Sequence, residues 1–326
     1  MKITVLGAGA WGTALARLLA MRDHDVTLWD FFPETIELIR NTGRNERYLP
    51  GIELPPKLRT EPAAAKALTG AELVVVAAVS KGFRNVTMAL GAYEGIVVSV
   101  TKGIEFETGL TMTDILKENA PRSRVVAMSG PTLAMEVARG IPTAIVAAST
   151  DAAAAQTVQA LFHSPAFRVY TSPDIHGVEL GGALKNVIAI GAGVCDGLGF
   201  GDNSKAALLT RAVSEMRRLG IACGAQADTF TGMSGLGDLM VTCFSKLSRN
   251  RGFGERLGKG EKAEAIVASM TAVAEGYPTA RSARELARKH GIETPIIKGV
   301  HAMCYEGKNV RQAVLDLTGR ESKAED

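Results

Sequence analysis

The chain has 326 residues, 46% of them hydrophobic, and a formal net charge of +3. That length and apolar content support two domains with sizeable cores, while so small a charge gives no footprint for a polyanion such as nucleic acid. Cys195, Cys223, Cys243 and Cys304 are widely spaced and form no Cys-x-x-Cys pair, which excludes the usual zinc and disulfide frameworks and suits a reducing, cytoplasmic compartment.

Residues 1–6 are β-type and break into Gly7-Ala-Gly9-Ala-Trp-Gly12. This spacing seats a dinucleotide pyrophosphate: Gly7 permits the tight turn, Gly9 admits backbone N–H groups to the phosphates, and Gly12 lets the next helix pack closely. Residues 13–21 read as that helix and 26–29 as a second strand ending in Asp30. Asp30 stands 18 residues after Gly12, where a carboxylate accepts from adenosine ribose hydroxyls, so NADH is preferred to NADPH. Phe31 and Phe32 offer no cation for a 2′-phosphate, although Arg40, Arg44 and Arg47 could fold back. Arg17 and the glycines interrupt the N-terminal apolar stretch, so it is not read as a signal peptide.

Residues 41–56, with Tyr48-Leu-Pro-Gly51 and Leu54-Pro-Pro56, read as a loop followed by a short strand near Leu58. Further strands are expected at 73–79, 96–100, 124–128, 143–148 and 167–170, alternating with helices in the rhythm of a mostly parallel sheet. From about Gly177 the periodicity turns helical, at 178–194, 204–223, 229–244 and 251–258. The expected fold is α/β: a Rossmann-like, doubly wound, mostly parallel sheet over 1–178 and a mainly α-helical substrate-binding domain over 179–326. No membrane span is expected; 180–195 is the nearest candidate. The charged tail 321–326 reads as frayed.

Ligands of open α/β sheets gather beyond the carboxyl ends of the strands. Three loops there carry hydroxyls, a cation and glycines: Ser80-Lys-Gly-Phe83, Thr101-Lys102-Gly103 and Ser129-Gly130-Pro131-Thr132. In the helical part, Lys185 is the only charge between Glu179 and Asp196, just after Gly181 and Gly182. Burial would drive its pKa toward neutrality, as a proton-transferring lysine requires, whereas the bland reading has it snorkel to water. The two glycines make a notch on its helix face for a chain segment or a ligand. A further cluster, Met233-Ser-Gly-Leu-Gly-Asp238 and Ser248-Arg249-Asn250-Arg251, mixes a carboxylate with phosphate-type donors, or is an exposed basic helix start. Arg251-Gly-Phe-Gly254 lacks the residues that would complete an RNA-binding strand. The five histidines show no metal spacing, and no metal site is expected.

Together, Gly7-x-Gly9-x-x-Gly12, Val100-Thr-Lys-Gly103, Ser129-Gly-Pro-Thr132, Glu179-Leu-Gly-Gly-Ala-Leu-Lys-Asn186, Gly235-Leu-Gly-Asp238 and Ser248-Arg-Asn250 resemble the bacterial and archaeal-type NAD(P)-dependent sn-glycerol-3-phosphate dehydrogenases over nearly the whole chain. The resemblance implies reversible conversion of dihydroxyacetone phosphate to sn-glycerol 3-phosphate, mainly toward the latter for glycerophospholipid synthesis, by a homodimer. It implies that Lys185 is the proton donor and acceptor and that Lys102 touches cofactor and substrate, lowering the pKa of Lys185 by repulsion. Gly130, Thr132, Asp238, Ser248, Arg249 and Asn250 then fall at substrate positions, the last three around the phosphate. Ala10, Trp11, Phe83, Ala134, Val273, Glu275 and again Arg249 fall at cofactor positions, beside Gly7, Gly9, Gly12, Asp30 and Phe31. One departure is that Phe31 and Phe32 stand where many members carry Arg or His, which sets aside their usual NADPH preference. The rival readings are a β-hydroxy-acid dehydrogenase of similar plan and a non-catalytic dinucleotide sensor. Ser248-Arg-Asn250 argues against the first, and Lys102, Lys185 and Asp238 against the second.

Overall fold

A computed structural model describes residues 1–321 of the chain; the rest of the 321–326 tail lies outside the described residues. Eight strands, β1 (Lys2–Leu6), β2 (Asp25–Trp29), β3 (Arg59–Thr60), β4 (Leu73–Val76), β5 (Ile96–Ser99), β6 (Arg124–Ser129), β7 (Thr143–Ala148) and β8 (Phe167–Ser172), form one sheet. Their order is β3-β2-β1-β4-β5-β6-β7-β8. Every neighbouring pair is parallel except β6 and β7. The chain leaves β1 toward β2 and later returns to its other side as β4, so the winding reverses beside the glycine turn, the crevice where doubly wound sheets bind ligands.

The apolar runs of β4 and β5 are buried on both faces, as parallel strands covered by helices must be. Leu73, Val75, Ile96 and Val98 enter one core with Ile3 and Val5, while Val74, Val76 and Val97 enter the opposite core with Leu6 and Phe83. This follows the alternation of side chains along a strand. The expected 73–79 strand stops at Val76, because the Thr101 hydroxyl takes the Ala78 carbonyl at 2.7 Å and the chain coils at Ser80–Gly82.

The helical half is built on Ile175–Gly197, capped by Asp174, whose carboxylate accepts from Gly177 N at 2.9 Å. The same carboxylate takes Gln226 N and the Thr229 hydroxyl, tying the next segments to the helix start. This helix is long and apolar enough to cross a membrane, yet its apolar window is entirely buried here, as the core of the helical half. It starts at Ile175, so a division at 178/179 falls in its first turn.

Arg249–Gly258 runs alongside it, with the two backbones in contact at glycines on both sides. A Cβ on Gly193 would lie 2.0 Å from the Arg251 carbonyl, one on Gly197 2.3 Å from that of Glu255, and one on Gly254 1.9 Å from that of Ile190. The helices pair Asn186 with Asn250, Ile190 with Gly254 and Val194 with Gly258, one turn at a time. Main chains rather than side chains therefore set their separation.

The expected continuous helix over 229–244 is corrected to three pieces: a 3-10 turn at Ala227–Thr231, a π turn at Met233–Gly237 and an α-helix at Asp238–Phe244. Gly235 is pressed on the Phe230 backbone, where a Cβ would meet the Phe230 carbonyl at 2.2 Å, and glycine is a poor helix former. That break aims Asp238 inward.

Candidate active site

The glycine turn has the shape its residues demand. Gly7 has φ +113, and a Cβ there would lie 2.7 Å from the Ala77 carbonyl; a Cβ on Gly12 would lie 1.9 Å from the Gly7 carbonyl. Gly9 starts the helix Ala10–Met21 with no side-chain cap and open space around its Cα. The first-turn N–H groups thus face a crevice without competing side chains, a donor set that fits a diphosphate. Trp11 and Ala134 meet in a small cluster beside it.

Asp30, at the end of β2, accepts from Ala8 N at 2.6 Å and Phe32 N at 3.0 Å. Its carboxylate is thereby fixed under the turn with lone pairs to spare. Phe31 and Phe32 are exposed and pack edge to face. The three arginines that follow in sequence are engaged elsewhere: Arg40 with Glu37 and Thr60, Arg44 with Glu46 and Glu53, Arg47 over the Tyr48 ring. Phe83 has no exposed surface and backs the crevice from the core.

Beyond the strand ends, two lysines meet one buried carboxylate. Asp238, 1% exposed, lies 2.8 Å from Lys185 Nζ through Oδ1 and 2.5 Å from Lys102 Nζ through Oδ2. Lys185 Nζ also donates to Thr242 Oγ1 at 2.6 Å, and that hydroxyl is 3.3 Å from Asp238 Oδ1. Lys102 Nζ donates to the Gly130 carbonyl, which also accepts from the Thr132 hydroxyl. Lys185 is 5% exposed, so it does not snorkel. Burial first and Lys102 second push its pKa down, Asp238 opposes them, and the outcome is about 8. The notch at Gly181 and Gly182 is filled by chain: Ser234 packs against the first, and Ser129 and Lys102 against the second.

Ser248, the cap of Arg249–Gly258, accepts from Arg251 N at 3.2 Å. Arg249 is exposed and forms no ion pair among the described residues. Asn250 is buried, and its amide is largely committed: Oδ1 accepts from Gly276 N and Nδ2 donates to Asn186 Oδ1, both at 2.8 Å. Glu275 reaches across to the sheet half, taking Ser80 N at 3.1 Å and the Ser80 hydroxyl at 2.6 Å; burial raises its pKa. Val273 beside it is exposed.

Sequence reasoning missed Thr242. Its signal was the i,i+4 spacing from Asp238 on one helix face. No cluster able to hold a metal ion occurs among the described residues.

Two family descriptions divide the chain: residues 2–155 match the N-terminus of NAD-dependent glycerol-3-phosphate dehydrogenase and residues 174–315 its C-terminus. A relative in Trichlorobacter lovleyi, named glycerol-3-phosphate dehydrogenase [NAD(P)+], is 51% identical over 100% of this chain and 99% of its own. A protein of the same name in Geobacter sulfurreducens is 48% identical over 99% and 98% of the two chains. The crystal structure of glycerol-3-phosphate dehydrogenase from Coxiella burnetii superposes with a TM-score of 0.95 at 35% identity, covering 98% of this chain and 99% of that one.

Proposed function

The chain belongs to the NAD-dependent glycerol-3-phosphate dehydrogenase family, and from that premise we propose how its residues divide the work. The enzyme interconverts dihydroxyacetone phosphate and sn-glycerol 3-phosphate with NAD(P)H. The observation that carries the residue assignment is one buried carboxylate shared by two lysines, one of them with a depressed pKa.

Bound NAD(P)H supplies the hydride. The residues that suit it are Gly7, Gly9, Ala10, Trp11 and Gly12 at the diphosphate, and Asp30 and Phe31 at the adenosine. Lys102, Ala134, Arg249, Val273 and Glu275 border the rest, with Phe83 as backing. As negative charge builds on the carbonyl oxygen of the substrate, the Lys185 ammonium donates its proton there; in the reverse direction the neutral amine removes it. Asp238 and Thr242 hold that amine in place, and Lys102 adds positive charge beside it. Gly130 and Thr132 line the wall, while Ser248, Arg249 and the free amide hydrogen of Asn250 take the phosphate.

Asp30 and the engaged arginines favour NADH. We further propose a dinucleotide unit over 1–178 and a helical unit over 179–326, and a cytoplasmic homodimer supplying glycerophospholipid synthesis. A β-hydroxy-acid dehydrogenase is the rival; the likeness to D-mandelate dehydrogenase, at 14% identity, shows fold alone. Initial rates on dihydroxyacetone phosphate, dihydroxyacetone and short hydroxy acids, each with NADH and NADPH, test the proposal. Strong preference for the phosphoester with NADH is expected. Equal rates without the phosphate would defeat the phosphate grip, and higher efficiency with NADPH would defeat the role given to Asp30.

A further inference from the structure

We infer that the Asn250 side chain is a coupling piece that holds the proton donor, the phosphate grip and the cofactor contact in one arrangement, with Asn186 as its anchor. Asn250 and Asn186, 8% and 3% exposed, lie in the core between Ile175–Gly197, Arg249–Gly258 and Gly276–Lys289. The direction of the bridge is forced by its ends. The Gly276 N–H can only donate, so the end of Asn250 that faces it is the carbonyl oxygen. Asn250 Nδ2 then faces Asn186 Oδ1, and Asn186 Nδ2 donates to the Gly182 carbonyl at 3.3 Å. Three donations run one way, from Gly276 through two amides to Gly182.

Each member is the chain neighbour of a residue with proposed work: Asn186 follows Lys185, Asn250 follows Arg249, and Gly276 follows Glu275. Gly276 is a glycine because its Cα rests on the same helix; a Cβ there would lie 2.3 Å from the Asn186 carbonyl and 3.1 Å from Asn250 Oδ1. Gly276 opens the helix that presents Glu275 to Ser80 across the crevice. Asn250 therefore acts on the cofactor side through Gly276, without touching that side itself. Asn186 is a positioning residue, and Asn250 has this role in addition to its remaining phosphate donor.

The inference rests on the roles proposed for Glu275 and Arg249, so the parent enzyme is assayed first; failure to turn over dihydroxyacetone phosphate with NADH would refute those roles rather than the bridge. NADH dissociation constants are then measured by fluorescence titration without substrate, with melting temperatures alongside. Asn186→Ala and Asn250→Ala should each weaken NADH by about tenfold, the loss of one buried hydrogen bond with its partner stranded. The double variant should be no weaker than Asn250→Ala alone, because both break one chain. Asn250→Asp keeps the acceptor for Gly276, and the Asn186 amide can turn its Nδ2 from the Gly182 carbonyl to the new carboxylate, so the link survives. NADH affinity should stay near the parental value while the added negative charge raises the KM for dihydroxyacetone phosphate. Unchanged NADH affinity in both alanine variants, or losses that add in the double variant, would overturn the inference. Should Asn186→Ala fail to fold, the Asn250 pair decides: equal NADH affinity in Asn250→Asp and Asn250→Ala overturns it.

Discussion

Replacing Asp238 with asparagine removes the one charge that keeps a proton on Lys185 while leaving the shape of the site almost unchanged. In the parent the Lys185 ammonium lies 2.8 Å from Asp238 Oδ1. At an effective dielectric constant of about 20, that attraction is about 6 kcal/mol, equivalent to about four pK units. The asparagine oxygen still accepts a hydrogen bond and nearby dipoles relax, so about two units is a conservative loss. Lys185, already down at about 8 through burial and Lys102, would then titrate near pH 6, about two units lower. At neutral pH the ammonium fraction drops from about nine-tenths to about one-tenth, so reduction loses about tenfold from proton supply alone. The assay is kcat/KM for dihydroxyacetone phosphate reduction against pH, which reports groups of the free enzyme. The parent limb should descend above about pH 8 and the variant limb above about pH 6. Melting curves accompany it, since stranding buried cations costs about 3–5 kcal/mol. A folded variant whose limb still descends near pH 8 would refute Asp238 as the keeper of that proton.

Arg249→Ala should raise the KM for dihydroxyacetone phosphate by about tenfold to a hundredfold, the worth of a charge-assisted phosphate contact, and at saturating NADH lower the slow rate on dihydroxyacetone far less. Equal losses on both substrates would show that the guanidinium does something else. Glu179 is buried and accepts from Thr113 N and the Thr113 hydroxyl, and burial lifts its pKa from 4.5 to about 7. A folded-state pKa above the unfolded one gives stability that is complete at acid pH and lost as pH rises through about 7. Between about pH 5 and pH 8 the parent melting temperature should therefore fall more steeply than that of Glu179→Gln, measured by scanning calorimetry; parallel slopes would contradict this. Gly254→Ala places a methyl 1.9 Å from the Ile190 carbonyl and should destabilise by about 1–3 kcal/mol, read as a melting point several degrees lower. A neutral or stabilising alanine would mean the helices can part freely.

The glycine turn, the strand rhythm and the acid after β2 were legible because each rests on local rules: which residue tolerates φ +113, which composition suits a buried parallel strand. Lys185 was legible as an anomaly, a lone cation in an apolar helix. Asp238 was legible as a carboxylate among glycines that could orient a lysine, but its pairing with both lysines was not: it lies 136 residues from Lys102 and on a different helix from Lys185, and only the fold brings the three together. The break of 229–244 into three pieces was hidden because its apolar spacing is helical throughout, and only the pressure of Gly235 on Phe230 shows why the helix cannot continue. Asn250 carried phosphate chemistry by type, but the direction of its amide depends on a main-chain donor from a distant helix.

The paired helices Ile175–Gly197 and Arg249–Gly258 touch through carbonyls and glycines along most of their length, with the Asn186–Asn250 amide pair at the end nearest Lys185. The interval from the Lys185 backbone to the Ser248 end of its neighbour is consequently set by main-chain packing, with Asp238 and Thr242 fixing the amine at its near end. Such a caliper would favour one spacing between carbonyl and phosphoester, so a homologue with an added carbon should be turned over at a lower kcat/KM.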